Sequence, residues 1–385
     1  MNIRKYPKIL TLGALPLILA SCGGNVSSSV LSSSNDSLAV TDMLGRSVSL
    51  VPSSISKVVC IGAGALRLYS YVGDMSKLSG VETVEKGFLI APRPYQMAND
   101  ELFKSLPSCG KGGPTGSPDA EAILSCHPDL VISLYTNDAA SMDLLSSQIG
   151  KPVVTLSYGV KEAFDEAVSS SITLLGKVLN VEDRANELVS YIKGIKDELA
   201  SLGSTVKEEE KKTVYLGCQS NYGTKGIESS SANYSLFEAS GIKNVLDVNG
   251  FKGYQKAVDL EKLKKMDPEK IILDAGGLPK LKEQFSDANK KAIVTSLSAV
   301  KNGEVYLQLP YNAYYTNLET AYCDAYYDAK VVFPNAFKGI DVAAKSTEIM
   351  KTFLKSDLMP QLEEVTYGGF QQVNDLEAFL NDRVA

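Results

Sequence analysis

The chain has 385 residues, a formal net charge of −6 at pH 7 and one histidine. This length predicts two domains, each large enough to bury a core of its own. The acidic balance argues against nucleic acid or an anionic membrane surface as a partner. With His127 as its one histidine, the chain offers no multi-histidine metal site and no support for a histidine-based catalytic triad.

The N-terminus has the pattern of an export signal. Three basic residues precede an apolar run at 9–20, which is too short to cross a bilayer as a mature helix. Loss of residues 1–21 removes three positive charges and no negative one, so the net charge falls from −6 to −9. Residues 22–37 are serine-rich and are expected to form a tether, with order beginning near Leu38.

Five cysteines follow this region. Their number is odd and their spacing matches no zinc-binding pattern. Those at 60, 126 and 218 lie in or beside apolar runs, which indicates buried small residues, and one disulfide stays open as an alternative. The five are Cys60, Cys109, Cys126, Cys218 and Cys323.

From residue 38 onward, short β-branched runs alternate with helical stretches. Strands are predicted at 57–62, 77–82, 129–134 and 152–157, and helices at 65–72, 119–125, 139–148 and 160–179. This alternation predicts a parallel sheet covered by helices on both faces.

A long amphipathic helix is predicted at 181–203. Its apolar residues recur at three- and four-residue steps, Glu182 and Asp183 favour its first turn, and Gly203 is suited to its end. Such a helix is roughly 30 Å long. It is either a strut between two lobes or an ordinary helix packed on a core.

The second half repeats the rhythm of the first. Strands are predicted at 213–218, 243–248, 270–275 and 303–309, and helices at 234–239, 318–332, 344–354 and 375–381. The predicted fold is therefore α/β with two lobes, at 38–180 and 204–385, each a parallel sheet with helices on both faces. One long helix joins the lobes.

Ligands of open parallel sheets bind beyond the carboxyl ends of the strands. The tyrosine-rich loop at 310–315 follows such an end, and 316–319 reads as a capping box that opens the next helix. Exposed tyrosines suit a cleft for a bulky, partly polar ligand, and Arg93 suits an anionic one. The alternatives are tyrosines that pack the loop on its lobe and a solvated arginine. The candidate ligand residues are Arg93, Tyr95, Tyr135, Tyr158, Tyr222, Tyr311, Asn312 and Tyr315.

Two glycine-rich stretches are weak signals of nucleotide binding. Gly62 and Gly64 follow a strand, with Glu82 twenty residues after Gly62, but Arg67 stands where a dinucleotide fingerprint has its third glycine. The stretch 110–116 lacks the Gly-Lys-Ser/Thr of a phosphate loop, so a turn is the better interpretation.

Several motifs carry a resemblance to known proteins. Residues 19–23, Leu-Ala-Ser-Cys-Gly, resemble the lipobox of bacterial lipoproteins, in which the cysteine, here Cys22, becomes lipidated and the new N-terminus. Residues 40–46, 57–61, 119–124 with 128–132, and 258–263 with 267–272 together resemble the substrate-binding proteins of iron-complex and vitamin B12 ABC importers. The resemblance extends over about residues 40–335.

This resemblance implies a two-lobed receptor without enzymatic activity or a cofactor of its own, which holds its ligand between the lobes. It implies that Glu121 and Glu261, one in each lobe, dock into arginines of an ABC permease that works with an ATPase. Cys22 would anchor the protein by lipid on the extracytoplasmic face of a membrane, and a monomer is expected.

The ligand implied is a ferric siderophore, haem, cobalamin or a related metal chelate. The tyrosine loop and Arg93 favour an iron complex, and tyrosine oxygens are able to ligate ferric iron directly, whereas the scarcity of histidine argues against axial histidine ligation of haem. Two other functions stay open: a surface adhesin or structural lipoprotein, and an exported nucleotide-binding enzyme that uses the Gly62 loop.

Overall fold

The computed structural model describes residues 37–87, 92–135, 138–160, 162–220 and 223–384. Residues 36–385 form one compact unit. The predicted signal peptide, most of the tether, Cys22 and Tyr222 lie outside the described residues. Within them, no helix combines the length and the apolar character that crossing a membrane requires.

The N-terminal lobe contains a four-stranded parallel sheet of order β4-β3-β5-β6 and a separate antiparallel pair, β1 with β2. Its strands are β1 (Leu38–Thr41), β2 (Ser47–Leu50), β3 (Val58–Ile61), β4 (Leu78–Val81), β5 (Leu130–Ser133) and β6 (Val153–Thr155). Its helices are α1 (Ala65–Val72), α2 (Pro94–Met97), α3 (Asp100–Ser105), α4 (Ala120–Ser125), α5 (Ala139–Ile149) and α6 (Glu166–Leu179).

Alternate residues of β3 and β5 supply two different hydrophobic clusters, as the side-chain alternation of a strand requires. Val58 and Leu130 pack on one face with residues of α1 and α6. Val59 and Val131 pack on the other with Ile123 of α4 and residues of α5. The prediction of a parallel sheet covered on both faces is therefore confirmed for this lobe.

The helix α6 begins later than predicted, at Glu166 rather than near residue 160. The Asp165 carboxylate accepts a hydrogen bond from the Ala167 backbone N–H at 2.9 Å and so caps the first turn. Asn180, at a φ of 57°, ends the helix in the left-handed conformation.

The long helix α7 spans Glu182–Gly203, as the sequence predicts. Its buried stripe runs from Ala185 to Leu199 at helical spacing. Gly203 ends it for a reason other than backbone conformation. A Cβ on Gly203 would lie 1.9 Å from the Ser240 carbonyl oxygen, so only glycine allows this close approach to the end of the following helix.

The C-terminal lobe contains a five-stranded sheet of order β13-β12-β11-β7-β9, in which β13 is antiparallel, and a separate antiparallel pair, β8 with β10. Its strands are β7 (Thr213–Gly217), β8 (Ser230–Ser231), β9 (Lys243–Asn244), β10 (Tyr254–Gln255), β11 (Lys270–Asp274), β12 (Val305–Gln308) and β13 (Gln371–Gln372). Its helices are α8 (Ser235–Ser240), α9 (Val245–Val248), α10 (Leu260–Met266), α11 (Leu278–Gln284), α12 (Ala288–Ser296), α13 (Ser298–Lys301), α14 (Leu318–Val332), α15 (Val342–Leu354), α16 (Met359–Val365) and α17 (Leu376–Arg383).

The prediction of a strand over 243–248 is wrong after its second residue. The Asn244 side chain accepts a hydrogen bond from the Leu246 N–H at 2.9 Å and caps α9, so the chain turns into a helix. An N-cap asparagine outweighs the β propensity of the valines that follow it.

Two segments related by a shift of 140 residues fold in the same way. Asp119 and Asp259 are the N-caps of α4 and α10, and each accepts a hydrogen bond from a backbone N–H three residues on, at 3.0 and 2.8 Å. His127 and Asp267 follow these helices with left-handed φ values of 49° and 37°. Each segment then enters a central strand of its sheet, β5 or β11.

A carboxylate closes each of these segments. Asp129 accepts hydrogen bonds from the backbone N–H groups of Ser56 and Lys57 at 3.0 Å, just before β3. Glu269 accepts one from the Thr213 N–H at 2.9 Å, at the start of β7. The two lobes therefore share this local motif as well as the alternation of strands and helices.

One hydrophobic core is continuous between the two sheets. It includes Val58 and Leu130 of the first sheet together with Val214 and Ile272 of the second. Residues of α14 belong to the same core, and this helix buries 13 of its 15 residues and is therefore surrounded by protein. The lobes are thus two sheets that share a core, rather than two separately packed bodies.

Candidate ligand-binding site

The tyrosine-rich loop of the C-terminal lobe lies against the strand ends of the N-terminal lobe. The Tyr314 hydroxyl donates to Oε2 of Glu82 at 2.7 Å and accepts from the Gly113 N–H at 3.0 Å. Glu82 follows β4, and Tyr314 lies between β12 and α14. The contact therefore joins the carboxyl ends of the two sheets, where ligands of this architecture bind.

Arg67 of α1 holds the same loop from the other side. Its guanidinium donates to the carbonyl oxygens of Ala313 and Tyr314 at 2.6 and 3.1 Å, and to Oδ1 of Asn317 at 2.9 Å. It lies over the Tyr95 ring, 4.6 Å from the centroid, and its side chain is fully buried. A buried guanidinium needs such acceptors, because an unpaired one would carry a large desolvation cost.

The Glu82 carboxylate is surrounded by hydrogen-bond donors. Its Oε1 accepts from the Tyr135 hydroxyl at 2.8 Å, and its Oε2 accepts from the Gly62 N–H at 3.0 Å in addition to Tyr314. Burial raises the pKa of this carboxyl, and the hydrogen bonds from the two tyrosines oppose the rise. The residue is 3% exposed.

A buried tyrosine and an exposed one are in ring contact beside this region. The rings of Tyr158 and Tyr315 lie 4.6 Å apart between centroids, with Tyr158 buried and Tyr315 41% exposed. Burial raises the pKa of Tyr158 to about 12, and the nearby Arg67 guanidinium opposes the rise. An exposed aromatic ring supported by a buried one is a surface that can stack on a ligand.

The expected capping box at 316–319 does not form. Asn317, rather than Thr316, is the N-cap of α14, and its side chain caps nothing. Its oxygen accepts from Arg67, and its amide nitrogen donates to the Tyr311 carbonyl oxygen at 2.9 Å. The Asn317 side chain therefore fixes the loop, because the buried Arg67 guanidinium requires a hydrogen-bond acceptor at this position.

In the C-terminal lobe, Asp274 ends β11 at the carboxyl edge of the sheet. Its two carboxylate oxygens accept from the backbone N–H groups of Ser220 and Gly276 at 2.9 and 2.8 Å. Burial raises the pKa of Asp274 to about 7, against the effect of these two donors. Asp274 ties two strand-end loops of this lobe together.

The structure brings together only part of the predicted ligand set. Tyr135, Tyr158, Asn312 and Tyr315 lie in or beside the contact between the tyrosine loop and the N-terminal lobe. Glu82, Arg67 and Tyr314 were not among the predicted ligand residues. The first two were visible in the sequence as features of the glycine loop, and Tyr314 as a member of the tyrosine loop.

Three other predicted ligand residues have buried side chains. Arg93 forms an ion pair with Glu85, and the Tyr95 hydroxyl donates to the same carboxylate at 2.7 Å. Tyr311 is 1% exposed, with its ring stacked on Tyr234 at 6.4 Å, so the expectation that it is an exposed tyrosine is wrong. The loop's path past Arg67, invisible in the sequence, decides which of its tyrosines face outward.

Glu121 and Glu261 occupy equivalent, exposed positions. Each is the second residue of its helix, α4 or α10, two residues after the capping aspartate. The surroundings differ in charge. The α10 helix also carries three exposed lysines, Lys262, Lys264 and Lys265, whereas α4 has no basic residue.

In the described part of the chain, the cysteines form no disulfide, and no metal site of a common kind is present. All five cysteines there are free and buried, as predicted for three of them. In the same residues, no group of three or more His, Cys, Asp or Glu side chains is placed to hold a metal ion.

Comparison with known proteins decides the family. The pattern of the family described as periplasmic binding protein matches residues 59–310. The chain belongs to this family. The resemblance inferred from the motifs is thereby confirmed, as is the expectation of a binding protein rather than an enzyme.

Two curated relatives come from Bacillus subtilis (strain 168). The Fe(3+)-citrate-binding protein YfmC is 29% identical over 195 residues, which cover 50% of this chain and 58% of the relative. An uncharacterized ABC transporter substrate-binding lipoprotein, YvrC, is 24% identical over 183 residues, which cover 48% of this chain and 49% of the relative. The chain thus matches about half the length of each of these relatives.

Solved structures support the fold. A periplasmic solute-binding protein from Veillonella parvula has a TM-score of 0.66 at 19% identity, covering 90% of this chain and 99% of that one. The molybdate-binding protein MolA of Haemophilus influenzae has a TM-score of 0.63 at 18% identity, covering 83% of this chain and 98% of that one. These structures share the α/β fold of this chain, so the predicted fold class is confirmed.

Replacing Arg67 tests its role in holding the tyrosine loop. Arg67→Met keeps a side chain of similar length but removes three hydrogen bonds and leaves two carbonyl groups without their donor. We expect the free energy of unfolding to fall by about 3 kcal/mol or more. Guanidinium denaturation measures it, and Lys104→Met, at an exposed ion pair with Asp100, is the control with little expected effect. Equal stability of the two variants would contradict the assignment.

Proposed function

We propose that the protein is an extracytoplasmic solute-binding lipoprotein that captures an iron complex between its lobes and delivers it to an ABC permease. The observation that carries the proposal is the junction of the tyrosine loop with Glu82 and Tyr135, at the carboxyl ends of both sheets. Family membership and the relation to an Fe(3+)-citrate-binding protein support it.

The proposed ligand contacts are the four predicted residues that lie at this junction, together with two more. Tyr315 supplies an aromatic surface that Tyr158 supports from behind, Tyr135 and Tyr314 supply hydroxyl groups, and Asn312 and Glu82 supply polar atoms. Arg93, Tyr95 and Tyr311 are left out because Arg93 and Tyr95 contact Glu85 and the Tyr311 ring contacts Tyr234, rather than Glu82 or Tyr315. No cofactor of the protein's own is needed for capture, and one chain is sufficient to form the site.

The alternative of a nucleotide-binding enzyme has little support. The Gly62 N–H, which would point at a phosphate in a dinucleotide site, donates instead to the Glu82 carboxylate. A buried carboxylate at this position repels phosphate. Arg67, at the position of the third fingerprint glycine, is committed to the tyrosine loop. No observation favours an adhesin.

Permease docking is proposed for Glu121 and Glu261. Their equivalent positions on α4 and α10 place one exposed carboxylate on each lobe, and two separated carboxylates can fix the register of a complex through pairs with arginine. Membrane attachment is proposed through lipid on Cys22, since residues 19–23 match a lipobox and the relative YvrC is described as a lipoprotein.

The first prediction concerns the ligand. A ferric complex is expected to raise the melting temperature of the purified protein with the logarithm of its concentration, because it binds the folded state alone. A thermal-shift and native mass-spectrometry series would compare ferric citrate, ferric siderophores, haem, cobalamin and unchelated ions. Tyr315→Ala should weaken binding tenfold or more, because the exposed ring is lost, and Val365→Ala on α16 is the control. A well-folded protein that no iron complex stabilises would overturn the iron assignment.

The second prediction separates docking from capture. Glu121→Gln and Glu261→Gln should each lower uptake of the iron complex by cells, and the double variant should lower it more, because a charge-assisted pair is lost on each lobe. Affinity of the purified variants for the complex should not change. Glu364→Gln, an exposed change on α16, is the control. Normal uptake by the double variant at normal protein levels contradicts this role of the glutamates.

The third prediction concerns the anchor. Cys22→Ser removes the thiol that would carry the lipid, so the protein should move from the membrane fraction to the soluble fraction of cells. It should also lose incorporation of a labelled fatty acid. Ser21→Ala, which keeps the thiol, is the control. Continued membrane association and labelling of the serine variant would show that lipid is not attached at this position.

A further inference from the structure

Three oxygen-bearing side chains converge where the lobes meet. Glu82 comes from the end of β4, Tyr135 from the end of β5, and Tyr314 from the loop that follows β12. The Tyr135 hydroxyl lies 2.8 Å from one carboxylate oxygen of Glu82, and the Tyr314 hydroxyl lies 2.7 Å from the other. We call Glu82, Tyr135 and Tyr314 the oxygen triad.

The spacing of the oxygen triad suits a small cation. Neighbouring ligands of an octahedral ion with metal–oxygen bonds of about 2.0 Å lie about 2.8 Å apart. The distances from the two phenol oxygens to the carboxylate oxygens therefore equal the distance between neighbouring ligand atoms of such an ion. Because the two phenols contact different oxygens of Glu82, one ion lies next to both of them only when the carboxylate binds it through Oε1 and Oε2 together.

The backbone around the triad favours negative charge on its oxygens. The Gly113 N–H donates to the Tyr314 oxygen at 3.0 Å, and the Gly62 N–H donates to Oε2 of Glu82 at 3.0 Å. Hydrogen bonds to the charged form of a group stabilise that form. Both donors can stay in place when a phenolate and a carboxylate face a cation.

The glycine-rich stretch at 110–116 packs closely against the oxygen triad. A Cβ on Gly112 would lie 2.9 Å from Oε2 of Glu82, and a Cβ on Gly116 would lie 2.8 Å from the Tyr135 hydroxyl. Only glycine lets the backbone approach these oxygens so closely. The stretch that resembles a weak phosphate loop in the sequence thus forms one wall of the oxygen triad.

The donor set selects the kind of ion. Phenolate and carboxylate are hard oxygen ligands, which suit a hard, highly charged cation better than the soft ions that cysteine and methionine select. Two phenolates and one carboxylate carry three negative charges, which balance the charge of Fe³⁺. Each phenol releases one proton to solvent when it coordinates, as metal binding to protonated ligands requires.

We propose that Glu82, Tyr135 and Tyr314 coordinate the ferric ion of the cargo directly. This inference rests on the proposed iron-complex function and specifies its chemistry. The protein then supplies four ligand atoms to the iron, two from the Glu82 carboxylate and one from each phenolate, so the chelator that arrives with it can fill only the remaining positions. The cargo class is a ferric complex of a small oxygen chelator such as a hydroxycarboxylate, rather than a hexadentate siderophore, whose six donors leave no position free, or a corrinoid.

The test uses ferric citrate and visible absorption. Coordination of phenolate to Fe³⁺ produces a charge-transfer band in the visible range, which neither ferric citrate nor the protein alone supplies. We expect this band on mixing. Tyr135→Phe and Tyr314→Phe should each reduce it to about half, and the double variant should abolish it. Affinity of the double variant should fall more than about 100-fold, since loss of a supporting residue alone costs 10–100-fold.

A matched control distinguishes coordination from a simple latch between the lobes. The Tyr322 hydroxyl also joins the lobes, donating to the Ala163 carbonyl oxygen at 2.7 Å, but no carboxylate is bonded to it. Tyr322→Phe should leave the band and the affinity unchanged. An equal loss of affinity in Tyr322→Phe and the triad variants would assign the triad a latch role and overturn coordination.

The remaining outcomes separate this inference from the proposed function. If ferric citrate or another ferric complex binds without a visible band, or with a band that the double variant keeps, direct coordination is wrong and the iron receptor stands. If no ferric complex binds to the folded protein, the proposed function fails, and the inference fails with it. Gallium citrate, which has no such band, should compete with ferric citrate if the triad recognises a hard trivalent ion.

Discussion

The buried guanidinium of Arg67 is the constraint on which the junction between the tyrosine loop and the N-terminal lobe depends. Because it is fully buried, it requires acceptors within the protein, and it takes them from the loop of the opposite lobe. The loop must therefore approach α1, which places Tyr314 beside Glu82 and Tyr315 on Tyr158. The left-handed φ values of Tyr314 and Tyr315, 51° and 75°, are unusual for tyrosine and belong to this fixed path.

The shared core gives the two lobes a limited range of relative movement. Helix α14 has 13 of its 15 residues buried, and the cluster to which it belongs includes apolar residues of both sheets. Opening the lobes widely would expose this apolar surface, at about 25 cal/mol for each Å².

The repeat at a spacing of 140 residues explains why the site lies where it does. Each lobe uses a capped helix and a left-handed residue to lead the chain into a central parallel strand. The central strand β5 then leads to Tyr135, whose hydroxyl contacts Glu82 after β4, so side chains far apart in sequence become neighbours. The same repeat leaves one exposed glutamate on each lobe, in surroundings that differ in lysine content. The two repeated segments therefore share a backbone fold but differ in charge.

Local features of the fold follow from the sequence because they depend on local chemistry. The apolar spacing of α7 and the β-branched runs of β3, β5, β7 and β11 determine element type at short range. Errors occurred where a capping side chain decided an element, as at Asn244 and Asp165. The family could also be predicted, since its motifs are short segments that keep their order along the chain.

The binding site could be predicted only in outline. The strand-end rule nominates the loops, but it does not say which side chains within them face the ligand. From the sequence, Arg93 was predicted to bind an anionic ligand. In the structure its guanidinium instead forms an ion pair with Glu85, eight residues away. Tyr311 and Tyr315 lie in the same loop, and nothing in the sequence distinguishes them. The path of the loop past Arg67 buries Tyr311 and exposes Tyr315.

By itself, the sequence determined the fold class, the long helix and the order of the elements, because these depend on periodicity and on neighbours a few residues apart. The docking role proposed for Glu121 and Glu261 rests instead on the resemblance to the family. Only the tertiary structure decided that Glu82, Tyr135 and Tyr314 share one cluster, because those residues are separated by 53 and 232 positions from the carboxylate they contact. Contacts over such separations depend on how two sheets pack around a common helix, which no local pattern encodes.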